Sequence, residues 1–259
     1  MPPRTLSVRD REDIRAFFDR LAPAYADSHG APGRALRQRL ALIERLLAGS
    51  RRETLVEIGC GTGLHLFPLA GAFARLIGTD LSPGMIARAE SLRRQQAGGE
   101  RIAFRVDPAE SLATVGDGVA DAVLCVGALE HMPDRDRVLS QVARVLRPGG
   151  VFVCLTPNGD HVWYRWLAPR LGLPTRHLSS DRFLRRAELR ARLPAAGLRL
   201  RRLQGWSFIP RGDMPAGWAW LMTLADACGR WLGFDGWRGG LAVLAVKPPA
   251  CGPADRADG

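Results

Sequence analysis

The 259-residue chain has an ordinary globular composition, 46% apolar and 24% charged, and is long enough for one α/β domain with its own core or with a small appendage. Its formal charge is +11 and Lys247 is its only lysine; a solvated arginine-rich surface accounts for that balance, with nucleic acid, anionic membranes and acidic substrates as the functional alternatives. Residues 1–13 hold no apolar stretch that would act as a signal peptide, five cysteines without a CxxC pair argue against a disulfide framework or structural zinc, and the apolar stretch 214–234 is broken by Asp226 and Arg230, so a soluble cytoplasmic protein is expected.

The first predicted element is a helix over 10–29, with Ile14, Phe17, Phe18 and Leu21 at helical spacing and Pro23 dividing it. A second helix carries Leu36, Leu40, Ile43, Leu46 and Leu47 on one face. Short apolar runs at 54–58, 76–79, 102–106, 122–126 and 151–155 read as buried strands, with helices over 64–74, 83–96 and 135–146 between them. Such alternation predicts a parallel sheet covered on both faces. Beyond residue 157 the rhythm changes: Trp163, Tyr164 and Trp166 cluster before Pro169, and a helix follows over 187–193. Two further strands, 198–203 and 241–246, flank a Trp-rich stretch. The organisation expected is an N-terminal helical cap (1–50), a core (51–158), an acceptor lid with C-terminal strands completing the same domain (159–248), and a disordered tail (249–259).

The sharpest motif is Val56-Glu-Ile-Gly-Cys-Gly-Thr-Gly63, a strand ending in a glycine-rich turn that opens a helix. Gly59, Gly61 and Gly63 remove side chains where a backbone approaches a ligand closely. A dinucleotide-binding GxGxxG pattern fails, because Leu64 and Leu66 stand where its third glycine belongs. Glu57 before the first glycine disfavours a phosphate and suits a cationic amino group, and Asp80 at the end of the next strand suits a ribose diol. A sulfonium nucleoside without phosphate satisfies both acids.

Glu57-Ile-Gly-Cys-Gly-Thr-Gly63, Gly78-Thr-Asp-Leu-Ser-Pro-Gly-Met85, Ala128-Leu-Glu-His-Met-Pro-Asp134 and Leu146-Arg-Pro-Gly-Gly150 resemble the successive motifs of class I S-adenosylmethionine (SAM)-dependent methyltransferases, in order and spacing. The resemblance implies an α/β, Rossmann-like seven-stranded sheet, mostly parallel with the last strand antiparallel, with helices on both faces and a helical lid. It implies SAM as cofactor, with Gly59, Cys60, Gly61 and Gly63 beneath its methionine and ribose and Asp80 on the ribose diol. Leu81 and Met85 would sit beside the adenine, with Asp107 at the adenine amino group and Pro108 and Ala109 alongside; Val126 and Gly127 would close the pocket. An N-cap role remains the alternative for Asp107.

Within that class the chain is most similar to ubiquinone-type O-methyltransferases and small-molecule relatives, through Leu129-Glu-His131, Thr156-Pro-Asn158 and Phe183-Leu-Arg-Arg-Ala-Glu-Leu189. Arg39 is the counterpart of an arginine that meets the cofactor carboxylate there. The family's Glu-x-x-Glu-His metal constellation is broken, because Gly127 replaces its first acid and leaves Glu130 and His131, so no metal is expected. His131 is the first candidate general base, with ordering of its loop as the alternative reading, and His177 the second candidate.

Phe18, Tyr25, Trp163, Tyr164 and Trp166 are the expected acceptor-binding residues, for an aromatic or lipid-like small molecule bearing a hydroxyl. The aromatics near the end, among them Trp206, Phe208, Trp218, Trp220 and Trp231, read as core packing or, with the interleaved arginines, as an apolar acceptor site or a shallow membrane contact. An RNA or tRNA methyltransferase is disfavoured, since no RNA-binding module is recognisable and the arginines are dispersed. The rival from another class is a non-catalytic SAM-binding partner protein.

Overall fold

The computed structural model describes residues 7, 8, 10–25, 33–173, 178–206, 216–234 and 238–249. Two N-terminal helices, α1 (Arg11–Leu21) and α2 (Arg34–Leu46), lead into an alternation of strands and helices. The strands are β1 (Thr54–Ile58), β2 (Arg75–Asp80), β3 (Ile102–Val106), β4 (Ala120–Val126), β5 (Leu146–Pro157), β6 (Arg199–Trp206) and β7 (Gly240–Val246). The helices between them are α3 (Leu66–Leu69), α4 (Pro83–Arg93), α5 (Arg135–Val145), α6 (Arg186–Ala195) and α7 (Ala216–Leu232), with a π-helical turn at Trp163–Leu167.

All seven strands form one sheet in the order β3-β2-β1-β4-β5-β7-β6. β7 runs antiparallel to both of its neighbours, and the other six strands share one direction. Alternation along the strands feeds two cores. In β4, Ala120, Val123 and Cys125 join the core with α5 and α6, while Ala122, Leu124 and Val126 join the core with α2 and α3. β4 is buried along its whole length, as expected of a strand covered on both faces. β1 sits between β2 and β4, where the winding of the sheet reverses, and a crevice opens beyond the carboxyl ends at such a point.

Several boundaries moved from the sequence expectation for local reasons. α3 is one turn instead of eleven residues, because the chain folds back at Gly71–Ala72 and Ala74 and Arg75 donate at once to the carbonyls of Arg52 and Glu53. β5 begins at Leu146 and carries an irregularity at Pro148-Gly149-Gly150, where the pairing with β4 shifts register. The Trp-rich stretch between the last strands contains the 17-residue helix α7. No helix among the described residues is long and apolar enough to cross a membrane.

Candidate functional site

Beyond β1, β2 and β4 lies a crevice that opens to solvent. One wall comes from the strand ends: Gly59, Gly61, Asp80, Leu81, Met85, Asp107, Ala109 and Gly127. The rest of the lining comes from the cap and the turn after β4: Ile14, Phe18, Tyr25, Ala128, His131 and Met132, with Arg11 and Glu110.

The glycine turn is held by Asp80. One carboxylate oxygen accepts from Gly61 N at 2.8 Å and the other from Ser82 N at 2.9 Å. Each carboxylate oxygen has a second lone-pair direction, so acceptor capacity for a ribose diol remains. Burial pushes the Asp80 carboxyl up to about 6, opposed by the two N–H bonds and reinforced by the nearby Glu57 and Asp19 charges.

The three glycines of the turn have left-handed backbone, and each also meets protein instead of only clearing room for a ligand. A Cβ on Gly59 would lie 2.5 Å from Ala128 Cβ, and one on Gly63 would lie 2.6 Å from the Phe104 ring. A Cβ on Gly61 would lie 3.2 Å from the Tyr25 ring, which covers the turn from the cap. Tyr25 is pushed above its ordinary range by burial and by the Asp80 charge.

Behind the turn is a buried polar chain that the sequence did not announce. Glu57 Oε1 bonds His65 Nδ1 at 2.8 Å, and His65 Nε2 lies 3.2 Å from Arg39 Nη1. Glu57 Oε2 and Arg39 Nε are buried without a hydrogen-bond partner, so the chain holds an unused acceptor and an unused donor. The glycine cradle and the spare acceptor capacity of Asp80 fit a phosphate-free nucleoside, with the Glu57 and Arg39 atoms lying behind that cradle.

Asp107 is buried, with its carboxylate turned to the following loop: it accepts from Ala113 N at 3.0 Å and from Thr114 N and Oγ1 at 2.7 and 2.6 Å. It therefore braces that loop while bordering the cavity. Among the expected cofactor residues, Arg39, Glu57, Cys60, Gly63, Pro108 and Val126 do not border the cavity themselves. Cys60 and Val126 face the core with α2 and α3 instead.

The cap is anchored by an acid that sequence reasoning missed. Asp19 Oδ1 accepts from Ser82 Oγ at 2.5 Å and from Gly84 N at 2.8 Å, placing a carboxylate at the N-terminus of α4. This fixes α1 so that Ile14 and Phe18 face the cavity.

His131 lies on the cavity wall, in the turn Leu129–His131. Its Nδ1 is 2.6 Å from Asp181 Oδ1, and the second Asp181 oxygen accepts from Leu178 N at 2.9 Å. Phe18 meets the ring edge to face at 5.4 Å between centroids. The turn is tied down by Arg182 N donating to Glu130 O at 3.0 Å and by Arg135 Nη2 donating to the same carbonyl at 2.7 Å. Burial alone would lower the His131 pKa, but the Asp181 bond and the Glu130 and Asp181 charges outweigh it and the Arg135 charge, leaving it raised. Nothing in the sequence around Asp181 marked it as the partner of His131.

Glu130 is buried and accepts from Thr156 Oγ1 at 3.1 Å, and burial raises its carboxyl against the pull of His131. Its side chain does not border the cavity.

Three of the five expected acceptor residues lie elsewhere. Trp163 is fully buried in a separate cluster with Tyr164, Ala168 and Met222, and its ring is 5.9 Å from Trp218 of α7. Tyr164 packs against Phe183 with the rings tilted and their centroids 4.4 Å apart, and Trp166 is half exposed beneath the guanidinium of Arg170. The insertion thus spends its aromatics on seating α7, while α1 supplies the cavity wall. Phe18 and Tyr25 border the cavity. His177 falls outside the described residues.

Residues 56–154 match the family model described as a methyltransferase domain. The chain is 33% identical over 171 residues to the ubiquinone biosynthesis O-methyltransferase of Azorhizobium caulinodans, covering 61% of this chain and 64% of that relative. It is 32% identical over 173 residues to the protein of the same name from Xanthomonas euvesicatoria, covering 63% and 69%. The chain therefore spans about two thirds of these relatives' length. The crystal structure of the (4+2)-cyclase SpnF superposes with a TM-score of 0.70 over 95% of this chain and 100% of that one, at 22% identity, which shows a shared fold and leaves the reaction open.

Proposed function

This chain belongs to the class I SAM-dependent methyltransferases, and from that premise we propose that it methylates a hydroxyl oxygen of an aromatic or lipid-like small molecule, with His131 as the base. The observation that carries this reading is that His131, paired with Asp181, lines the same cavity as Asp80 and the glycine turn.

Asp80 would hold the ribose, Leu81, Met85 and Ala109 the adenine, and the Gly59–Gly63 turn the amino acid portion. When bound, the cofactor supplies a methyl group already activated on a sulfonium. Ile14 and Phe18 give the acceptor an apolar seat and exclude water from the side opposite the turn. Asp181 fixes Nδ1 as a donor, so Nε2 is left as the acceptor that takes the hydroxyl proton as the new oxygen–carbon bond forms. The imidazolium so produced is stabilised by the same carboxylate. Placement in line contributes as much as the base, because holding two reactants together removes much of the barrier.

The names of the ubiquinone biosynthesis O-methyltransferases support transfer to oxygen. The cavity's apolar cap supports an uncharged aromatic or lipid-like acceptor over RNA. The test is incubation with methyl-labelled SAM and a panel of apolar phenols and catechols, followed by identification of the labelled product. An aryl methyl ether with stoichiometric S-adenosylhomocysteine is expected. Tight SAM binding with no turnover on any hydroxyl, or label on nitrogen, carbon or tRNA, would overturn the reading.

A further inference from the structure

Among the described residues, exposed large apolar side chains gather away from the cavity, on α7. Among its 17 residues only Asp226 and Arg230 are charged. Residues 220, 224 and 231 fall on one side at helical spacing, with 221 beside them. Trp220 is 69% exposed, Trp231 86%, Leu224 48% and Leu221 41%. The usual order is inverted: Asp226, the one acid of the helix, is buried on the inner side near Arg238, while Trp220 and Trp231 face out. Patches of this kind on a soluble face mark an interaction surface.

The inner side of α7 is fixed through Trp218 and Met222 to Trp163, Tyr164 and Ala168, so α7 and the Trp163–Arg170 segment form one packed unit. That segment carries exposed Trp166, with Arg165, which also pairs with Asp160 at 3.7 Å, and Arg170 at 5.6 and 4.8 Å from its ring centre. No acid occurs in residues 163–173, and Asp226 is the only one in 216–234.

We propose that the outer face of α7, flanked by Arg165, Arg170 and Arg230, is a membrane-docking surface that lies in the interface of an anionic bilayer. Large aromatic and aliphatic side chains with arginines alongside are what an interfacial helix presents. Tryptophan is favoured at headgroup depth, where its ring is partly wet. Charge complementarity selects the bilayer over a second copy of this chain, since each copy carries a formal +11 and, of the flanking arginines, only Arg165 has an acid partner among the described residues, Asp160. The surface acts independently of which acceptor the cavity takes.

The test uses the full chain in a flotation assay with vesicles of phosphatidylcholine alone or mixed about equally with phosphatidylglycerol. Binding to the anionic vesicles, weak binding to the neutral ones and loss of binding in high salt are expected. The triple variant Trp220→Gln, Leu224→Gln, Trp231→Gln keeps good helix formers at exposed positions. It should lower vesicle partitioning by at least about tenfold, with an unchanged far-UV spectrum and unchanged SAM affinity by calorimetry. Failure of the wild type to float with anionic vesicles, or equal flotation of a folded triple variant, would overturn the proposal. So would a wild-type dimer in sedimentation velocity that the triple variant turns into a monomer without any vesicle binding, which would assign the face to a second copy.

Discussion

The two walls of the cavity are held together in different ways. On the cofactor side Asp80 reaches Gly61 and Ser82 through backbone N–H groups, all within a short stretch of chain at the ends of β1 and β2. On the other side His131 is oriented by Asp181 from a segment beyond β5, and Phe18 arrives from α1, which is pinned by Asp19 to the start of α4. The first wall is local chemistry and the second is tertiary assembly. Damage to the first should therefore appear in cofactor affinity, and damage to the second in turnover.

The largest effect expected from this contrast is on turnover. His131→Ala should lower kcat by about 10²–10⁴-fold while SAM affinity stays nearly unchanged; steady-state kinetics beside calorimetric titration of SAM separates the two. A parallel fall in both would merge the walls into one structural unit.

Trp163→Ala should cost about 3–5 kcal/mol of stability, because it empties a fully buried site beneath α7. Chemical denaturation measures the loss, and the KM of the remaining folded enzyme should stay close to wild type. A large rise in KM would return Trp163 to the acceptor site.

Asp80→Ala should weaken SAM binding by about 1.5–3 kcal/mol, the scale of hydrogen bonds to a charged group. SAM affinity of the wild type should also fall as pH drops through about 6, where the buried carboxyl takes up its proton. Affinity that is flat across that range would remove the carboxylate from cofactor binding.

The smallest expected effect is none. Gly127 stands in place of the first acid of the metal constellation, and Glu130 turns inward to Thr156. Treatment with EDTA should leave turnover intact. Loss restored by magnesium would show that another residue completes a metal site.

The same division decides what could be read from sequence. The buried strands announced themselves as apolar runs, and the glycine turn with Asp80 lies in one short stretch of chain, so the strand-end side of the cavity was legible. α7 was not, because its apolar residues surround the helix and leave no polar face to give a period. Trp163 was assigned to the acceptor because an aromatic cluster in an insertion has the same composition whether it lines a cavity or seats a helix. Asp181 and Asp19 were missed for a related reason: a carboxylate that orients a distant side chain leaves no mark in the residues beside it. The glycines were recognised, but Ala128, Tyr25 and Phe104, the neighbours that demand them, lie far off in sequence.

The most direct test is the pH dependence of kcat in wild type, His131→Ala and Asp181→Asn, with a hydroxyl acceptor found by the product assay. A base must be neutral to accept a proton, so the rate should rise with pH through one ionisation above the ordinary histidine range, where Asp181 and Glu130 hold His131. In Asp181→Asn the strongest of the raising influences is lost, and the inflection should move to lower pH with a reduced plateau. In His131→Ala it should vanish. A folded His131→Ala enzyme that keeps the inflection, or an Asp181→Asn profile that does not move, would contradict the account.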